Sequence, residues 1–79
     1  MSYRVIMEYG TEYTTDTVEE TKELIRELTE EEWRAGEEFE VIVRNDDGEE
    51  VSIFGWDQLD NLHAVEENPR PTKKTSRSR

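Results

Sequence analysis

From Asp16 to Arg34 the apolar residues recur with a helical period. At about 100° per residue, Val18, Thr21, Leu24, Ile25 and Leu28 share one arc of roughly 120°. Glu19, Glu20, Glu23, Glu27, Glu30 and Glu31 share the opposite arc. The pattern predicts an amphipathic helix with one face to bury and a carboxylate ridge on the other. Asp16 or Thr17 can cap its first amides, and Thr17 followed three residues on by Glu20 fits a capping box. Glu19 and Glu20 suit the positive end of the helix dipole, and Gly36 is a natural stop. A regular continuation would turn Glu32 onto the apolar side, so fraying or a bend is expected near residues 31–34. Trp33 then becomes a lid over the core edge or an exposed anchor.

On either side of this helix the period drops to two. Tyr3, Val5, Met7 and Tyr9 alternate with Arg4, Ile6 and Glu8, which predicts a strand. Gly10 allows a turn, and the threonine-rich 11–15 suits a short return strand, with a loop leading straight to the helix as the alternative. At 45–48 the run NDDG suits a type I turn with Gly48 in the left-handed region. That turn pairs Asn45 with Glu49, Arg44 with Glu50, Val43 with Val51, Ile42 with Ser52 and Val41 with Ile53. Phe39, Val41, Val43, Val51 and Ile53 then share one face, while Ile42 and Phe54 lie on the other beside the Arg44–Glu50 pair. Gly55 ends the hairpin 38–55. Trp56 to Asp60 reads as one helical turn with Leu59 inward, and Leu62 to Glu66 as a last short strand, the end of a short helix being the alternative. The fold class is α+β: a small antiparallel sheet built from an N-terminal strand or hairpin and the second hairpin, with one amphipathic helix across one face, in the order β(β)αββ. Its core should hold Val5, Met7, Leu24, Ile25, Leu28, Phe39, Val41, Val43, Val51 and Ile53.

Composition narrows the picture. With 32% apolar and 39% charged residues in a chain of 79, one small core is all that can form. It is assigned to a domain of residues 1–66. Residues 67–79 have no apolar side chain after Glu67, carry two prolines, and are expected to be a disordered basic tail. Charge is divided the same way. Residues 1–65 carry 19 acidic and five basic side chains, net −14, and residues 66–79 carry two acidic and five basic, net +3. An acidic body repels nucleic acid and anionic membrane and attracts basic protein surfaces. There is no cysteine, which excludes disulfides and thiolate metal sites. The N-terminus has no signal-peptide pattern and no apolar run long enough to span a membrane, so a cytoplasmic, membrane-free protein is expected.

Little in the chain suggests catalysis. His63 is the only histidine, Ser2, Ser76 and Ser78 lie near the termini, and Ser52 falls in a strand among charged neighbours. A nucleophile, base and acid held together are not indicated. The carboxylates occur in solvated runs rather than in an apolar site that would tune one of them. Asp46, Asp47, Glu49 and Glu50 lack the ligand spacing of a calcium loop, and the glycines are isolated, so no phosphate loop, metal or cofactor is expected.

The ridge is the feature with functional meaning. Closely spaced carboxylates at Glu19, Glu20, Glu23, Glu27, Glu30 and Glu31 on one rigid element can imitate a phosphate backbone. Like charges at i,i+4 (Glu19 with Glu23, Glu23 with Glu27, Glu27 with Glu31) each cost a few tenths of a kcal/mol, roughly, so the array is kept at some expense to the helix. The reading is a non-enzymatic, DNA-mimic-like module that docks this face, with Trp33 as an anchor, on a basic, nucleic-acid-binding partner and inhibits or modulates it. Small phage-encoded inhibitors of host machinery include proteins with this order of elements, an analogy that concerns fold alone. Two alternatives stand beside it. The acidity serves solubility or salt adaptation only, or the tail holds nucleic acid through Arg70, Lys73, Lys74, Arg77 and Arg79, without an aromatic residue to stack on bases.

Overall fold

The computed structural model describes residues 2–66. Its elements are β1 (Tyr3–Met7), β2 (Glu12–Thr15), α1 (Val18–Leu28), α2 (Glu30–Ala35), β3 (Val41–Arg44), β4 (Glu50–Ile53) and a C-terminal 3₁₀ helix (Trp56–Val65). The four strands form one antiparallel sheet in the order β2-β1-β3-β4. The expected α+β architecture is therefore present, and 11–15 is a return strand rather than a loop. The Met7 carbonyl accepts the Gly10 amide at 2.9 Å in a tight turn at Gly10, whose φ is 92°.

The second hairpin follows the register its turn dictates. Val41 faces Ile53, Ile42 Ser52, Val43 Val51 and Arg44 Glu50. The Asn45 amide donates to the Glu49 carbonyl at 2.9 Å, and Gly48 has a φ of 87°. The Asn45 side chain accounts for the turn's tightness. Its Oδ1 accepts from the amides of Asp47 (2.9 Å) and Glu49 (3.0 Å), the local bonding that suits asparagine to turns. Its Nδ2 donates to the Val65 carbonyl at 2.9 Å, tying the turn to the end of the 3₁₀ helix. At the same end of the sheet Ser2 donates to Asp46 from its amide (2.9 Å) and hydroxyl (3.0 Å). These two bonds hold the Asp46 carboxyl below its ordinary value.

One face of the sheet is dry. Tyr3, Val5, Met7, Val41, Val43 and Ile53 are buried there beneath α1, which lies over β1 and β2, and the 3₁₀ helix, which lies over β3 and β4. Leu59, Leu62 and Val65 are spaced by three residues, the period of a 3₁₀ turn, so all three point into the core. This corrects the strand expected at Leu62–Glu66. A strand would send Leu62 and Val65 to opposite faces, whereas the 3₁₀ path buries both.

The buried side of α1 is also rolled from its expected position. Val18, Thr21 and Ile25 are buried, with Thr29 just beyond, whereas Leu24 and Leu28 are half-buried; Val51 is half-buried too. The threonines tolerate burial because they are bonded. The Thr21 hydroxyl donates to the Thr17 carbonyl at 2.8 Å and meets the Thr15 hydroxyl, and the Thr29 hydroxyl donates to the Ile25 carbonyl at 2.6 Å. The expected bend falls at Thr29, where α1 gives way to α2, and not at residues 31–34. Gly36, with φ 72°, closes α2 in the left-handed conformation.

Leu62 is fully buried on the 3₁₀ helix, which lies outside the sheet and covers β3 and β4. Leu62→Ala should destabilise the domain by about 2–5 kcal/mol, read as a lowered urea midpoint. A loss within experimental error would show that the 3₁₀ helix is not part of the cooperative core. The depressed Asp46 carboxyl carries a pH prediction. Its clasp with Ser2 contributes fully above the ordinary value of 3.8 and is lost as pH falls through the lower, folded-state value. A carboxyl-carbon NMR titration should place the Asp46 midpoint below 3.8, and a midpoint at or above it would remove the clasp from the solution structure.

Candidate acidic and aromatic interface

The ridge begins at the cap of α1. Thr17 Oγ1 accepts the Glu20 amide at 3.0 Å, and Glu20 Oε1 accepts the Asp16 amide at 2.8 Å. The capping pair forms one residue out of the standard reciprocal arrangement, since Glu20 reaches Asp16 rather than Thr17. Glu19, Glu20, Glu23, Glu27, Glu30 and Glu31 are all exposed. Glu30 pairs with Arg34 at 2.9 Å. Among the described residues Glu19, Glu23, Glu27 and Glu31 make no ion pair. Lys22, the one lysine of the helix, turns the other way to Asp60 (3.2 Å).

The structure sorts these residues between two grooves. Glu20, Glu23 and Glu27 border a groove of about 410 Å³ between α1 and the β2 strand, with Tyr13 and Leu24 also in its wall. Glu23, Glu27 and Glu30, with Arg26, border a second groove of about 490 Å³ that runs to Trp56. Glu23 and Glu27 therefore form the crest shared by both. Glu19 and Glu31 are exposed but border neither.

Trp33 is 40% exposed and stacks on Trp56, with ring centroids 5.4 Å apart and planes 13° apart. One ring face closes the core edge through Trp56, the lid of the two expected roles, and the remainder of the indole is open. Trp56 is fixed from the other side, because its Nε1 donates to Thr29 Oγ1 at 2.9 Å. The bend residue thus serves the helix and the aromatic pair together. Beyond Trp33 lies a third groove of about 490 Å³ containing Gly36, Glu37, Glu38 and Phe54, the last 52% exposed. Phe54 was legible only as an apolar residue on the outer side of its hairpin. That it shares a groove with Trp33 follows from the αL turn at Gly36, which no periodicity reports. Ile42 does not join them; it faces Ile6 across β1 and β3 on the outer side of the sheet.

His63 is exposed and its Nδ1 lies 2.8 Å from Glu66 Oε1. Among the described residues no group of three acidic or histidine side chains is arranged to hold a metal ion. No described helix is long and apolar enough to cross a membrane. Arg70, Lys73, Lys74, Arg77 and Arg79 lie outside the described residues. Comparison with family models, with curated proteins and with solved structures finds no match to the chain.

A Cβ at Gly55 would stand 3.0 Å from Cζ3 of Trp33 and 2.6 Å from Oδ1 of Asp57. The carboxylate can swing away, whereas the stacked ring cannot move without leaving Trp56. Gly55→Ala should therefore change the near-ultraviolet circular dichroism of the paired indoles and cost about 1–3 kcal/mol through overpacking. An unchanged spectrum would show that Gly55 does not set the stack.

Proposed function

We propose that this protein is a non-enzymatic protein-binding module whose acidic α1–α2 surface docks on a basic, nucleic-acid-binding partner and so blocks or modulates it. The observation that carries this reading is the crest of Glu23 and Glu27, exposed, in no ion pair among the described residues, and flanked by further carboxylates on a helix anchored in the core. A solvated face serving only solubility has no need of concentrated charge on one rigid element, where neighbouring carboxylates repel. The partly open Trp33 beside this face supplies what charge alone lacks. Charges steer encounter and select partners, whereas affinity concentrates in a few desolvated aromatic anchors. A partner surface that normally holds phosphates would meet carboxylates along α1 and an indole at its end.

Reversal of Glu23, Glu27 and Glu30 to Lys tests the reading, since all three are exposed and leave the core untouched. Affinity capture from the source cell's lysate, with and without competing duplex DNA, should retrieve a nucleic-acid-binding protein that DNA displaces. The triple variant, with unchanged far-ultraviolet circular dichroism, should not retrieve it. Equal capture by both proteins would sink the proposal.

A further inference from the structure

We propose that the free edge of β2, together with the groove between it and α1, receives an extended lysine- or arginine-rich segment of the partner as a fifth strand of the sheet. The inference rests on the acidic-surface reading above and names the form in which the partner presents its charge.

The sheet order leaves β2 at an edge. Its inner side is bonded to β1, and the phase of that ladder is given by the Met7 amide, which donates to the Thr11 carbonyl at 2.9 Å. In an antiparallel pair, bonded and non-bonded residue pairs alternate. Val5 with Tyr13 and Tyr3 with Thr15 are therefore the bonded pairs, and the amide and carbonyl of Glu12 and of Thr14 point away from the sheet. Among the described residues no hydrogen bond engages these four groups. The next amide, Asp16, is already held by Glu20 at 2.8 Å. The open row is thus short and closed at one end. Unpaired, outward-facing strand groups are what an added strand bonds to.

The neighbouring helix supplies the chemistry of the occupant. An added strand lies about 4.8 Å from its neighbour, and its side chains alternate between the two faces. On the helix-side face they would enter the groove, where the half-buried Tyr13 and Leu24 offer apolar surface and Glu20, Glu23 and Glu27 stand exposed. Lysine and arginine match this profile. Their methylene stems cover apolar surface while their charges reach the carboxylates. The preferred segment therefore carries a basic residue at every second position. A second copy of this chain does not fit, because pairing β2 with β2 would bring two sets of these carboxylates against each other.

The test uses the full chain and an eight-residue peptide alternating lysine with threonine and valine. Its titration should slow hydrogen exchange of the Glu12 and Thr14 amides by about tenfold or more, the scale expected for newly bonded edge groups. Thr14→Pro removes an outward amide without touching a β1 bond, and should weaken peptide binding by about tenfold. If that variant loses its fold, N-methylated peptides decide. Methylation of alternate amides in one phase should abolish binding, methylation in the other phase should spare it, and equal binding of both would overturn the proposal. Loss of binding on Glu23→Lys and Glu27→Lys, with none on Thr14→Pro in its folded form, would leave the acidic-surface reading standing and remove strand addition. Binding indifferent to all these changes would remove both. Protection of Glu12 and Thr14 without peptide would also overturn the proposal. It would assign the edge to a second copy if it grew with protein concentration, and to the chain's own residues 67–79 if it did not.

Discussion

With 32% apolar residues in 79, this chain can dry one side of one sheet, and the rest of its structure follows from that limit. Two short helical elements share the task of covering, α1 over β1 and β2 and the 3₁₀ helix over β3 and β4. Polar residues must fill places that a richer chain would give to leucine. Thr15, Thr21, Thr29 and Asn45 are all buried, and each is bonded. An unbonded hydroxyl or amide in those places would cost roughly 1–3 kcal/mol, a large share of what a domain of this size has. Among the described residues the same limit leaves no element over the outer side of the sheet and places every carboxylate of 2–66 at or near the surface.

Asn45 and Thr29 show how few polar contacts organise the whole. Asn45 closes the hairpin turn and also holds the last carbonyl of the 3₁₀ helix. Thr29 accepts the indole of Trp56 while bonding back to Ile25. Because Trp56 carries Trp33 on its face, the position of the exposed indole depends on a hydroxyl at the helix bend. The aromatic end of the candidate surface is therefore a property of the core, reached through one hydrogen bond and one stack.

The parts of the fold legible in the chain were those set by local rules. The NDDG turn determined the register of its hairpin to the residue, and the period of 3.6 located α1 and its carboxylate ridge. What local patterns could not supply was the exact roll of α1. Counting apolar residues centres the buried arc near Thr21 and Leu28, whereas burial of Thr29, whose hydroxyl bonds the Ile25 carbonyl, moves the centre to Ile25 and leaves Leu24 at the margin. The last element was misread for a related reason. The run Leu62 to Glu66 is too short to show a period of its own, whereas Leu59, Leu62 and Val65 keep a spacing of three, and burial shows that this spacing is the one that matters. Of the candidate site, the six carboxylates and Trp33 are visible as residue types along one expected helix, which the bend at Thr29 divides, leaving Glu19, Glu20, Glu23 and Glu27 on α1 and Glu30, Glu31 and Trp33 on α2. Their division between two grooves, and the arrival of Phe54 beside Trp33, depend on the tertiary path.

The roll of α1 has a consequence for the surface. It moves Leu24 to the margin of the core, half-buried, in a groove wall with Glu20, Glu23, Glu27 and Tyr13 at the open edge of β2. An exposed sheet edge next to apolar side chains invites pairing with other chains, and proteins commonly guard such edges with charge. Here the guard is of one sign only. Carboxylates of a single sign repel copies of this chain and would favour a basic strand, so the residues that protect the edge are also those on which the proposed strand addition rests. Under that proposal, solubility and recognition are two results of one charge distribution. Both weaken together as salt shortens the reach of that charge to about 8 Å at physiological ionic strength.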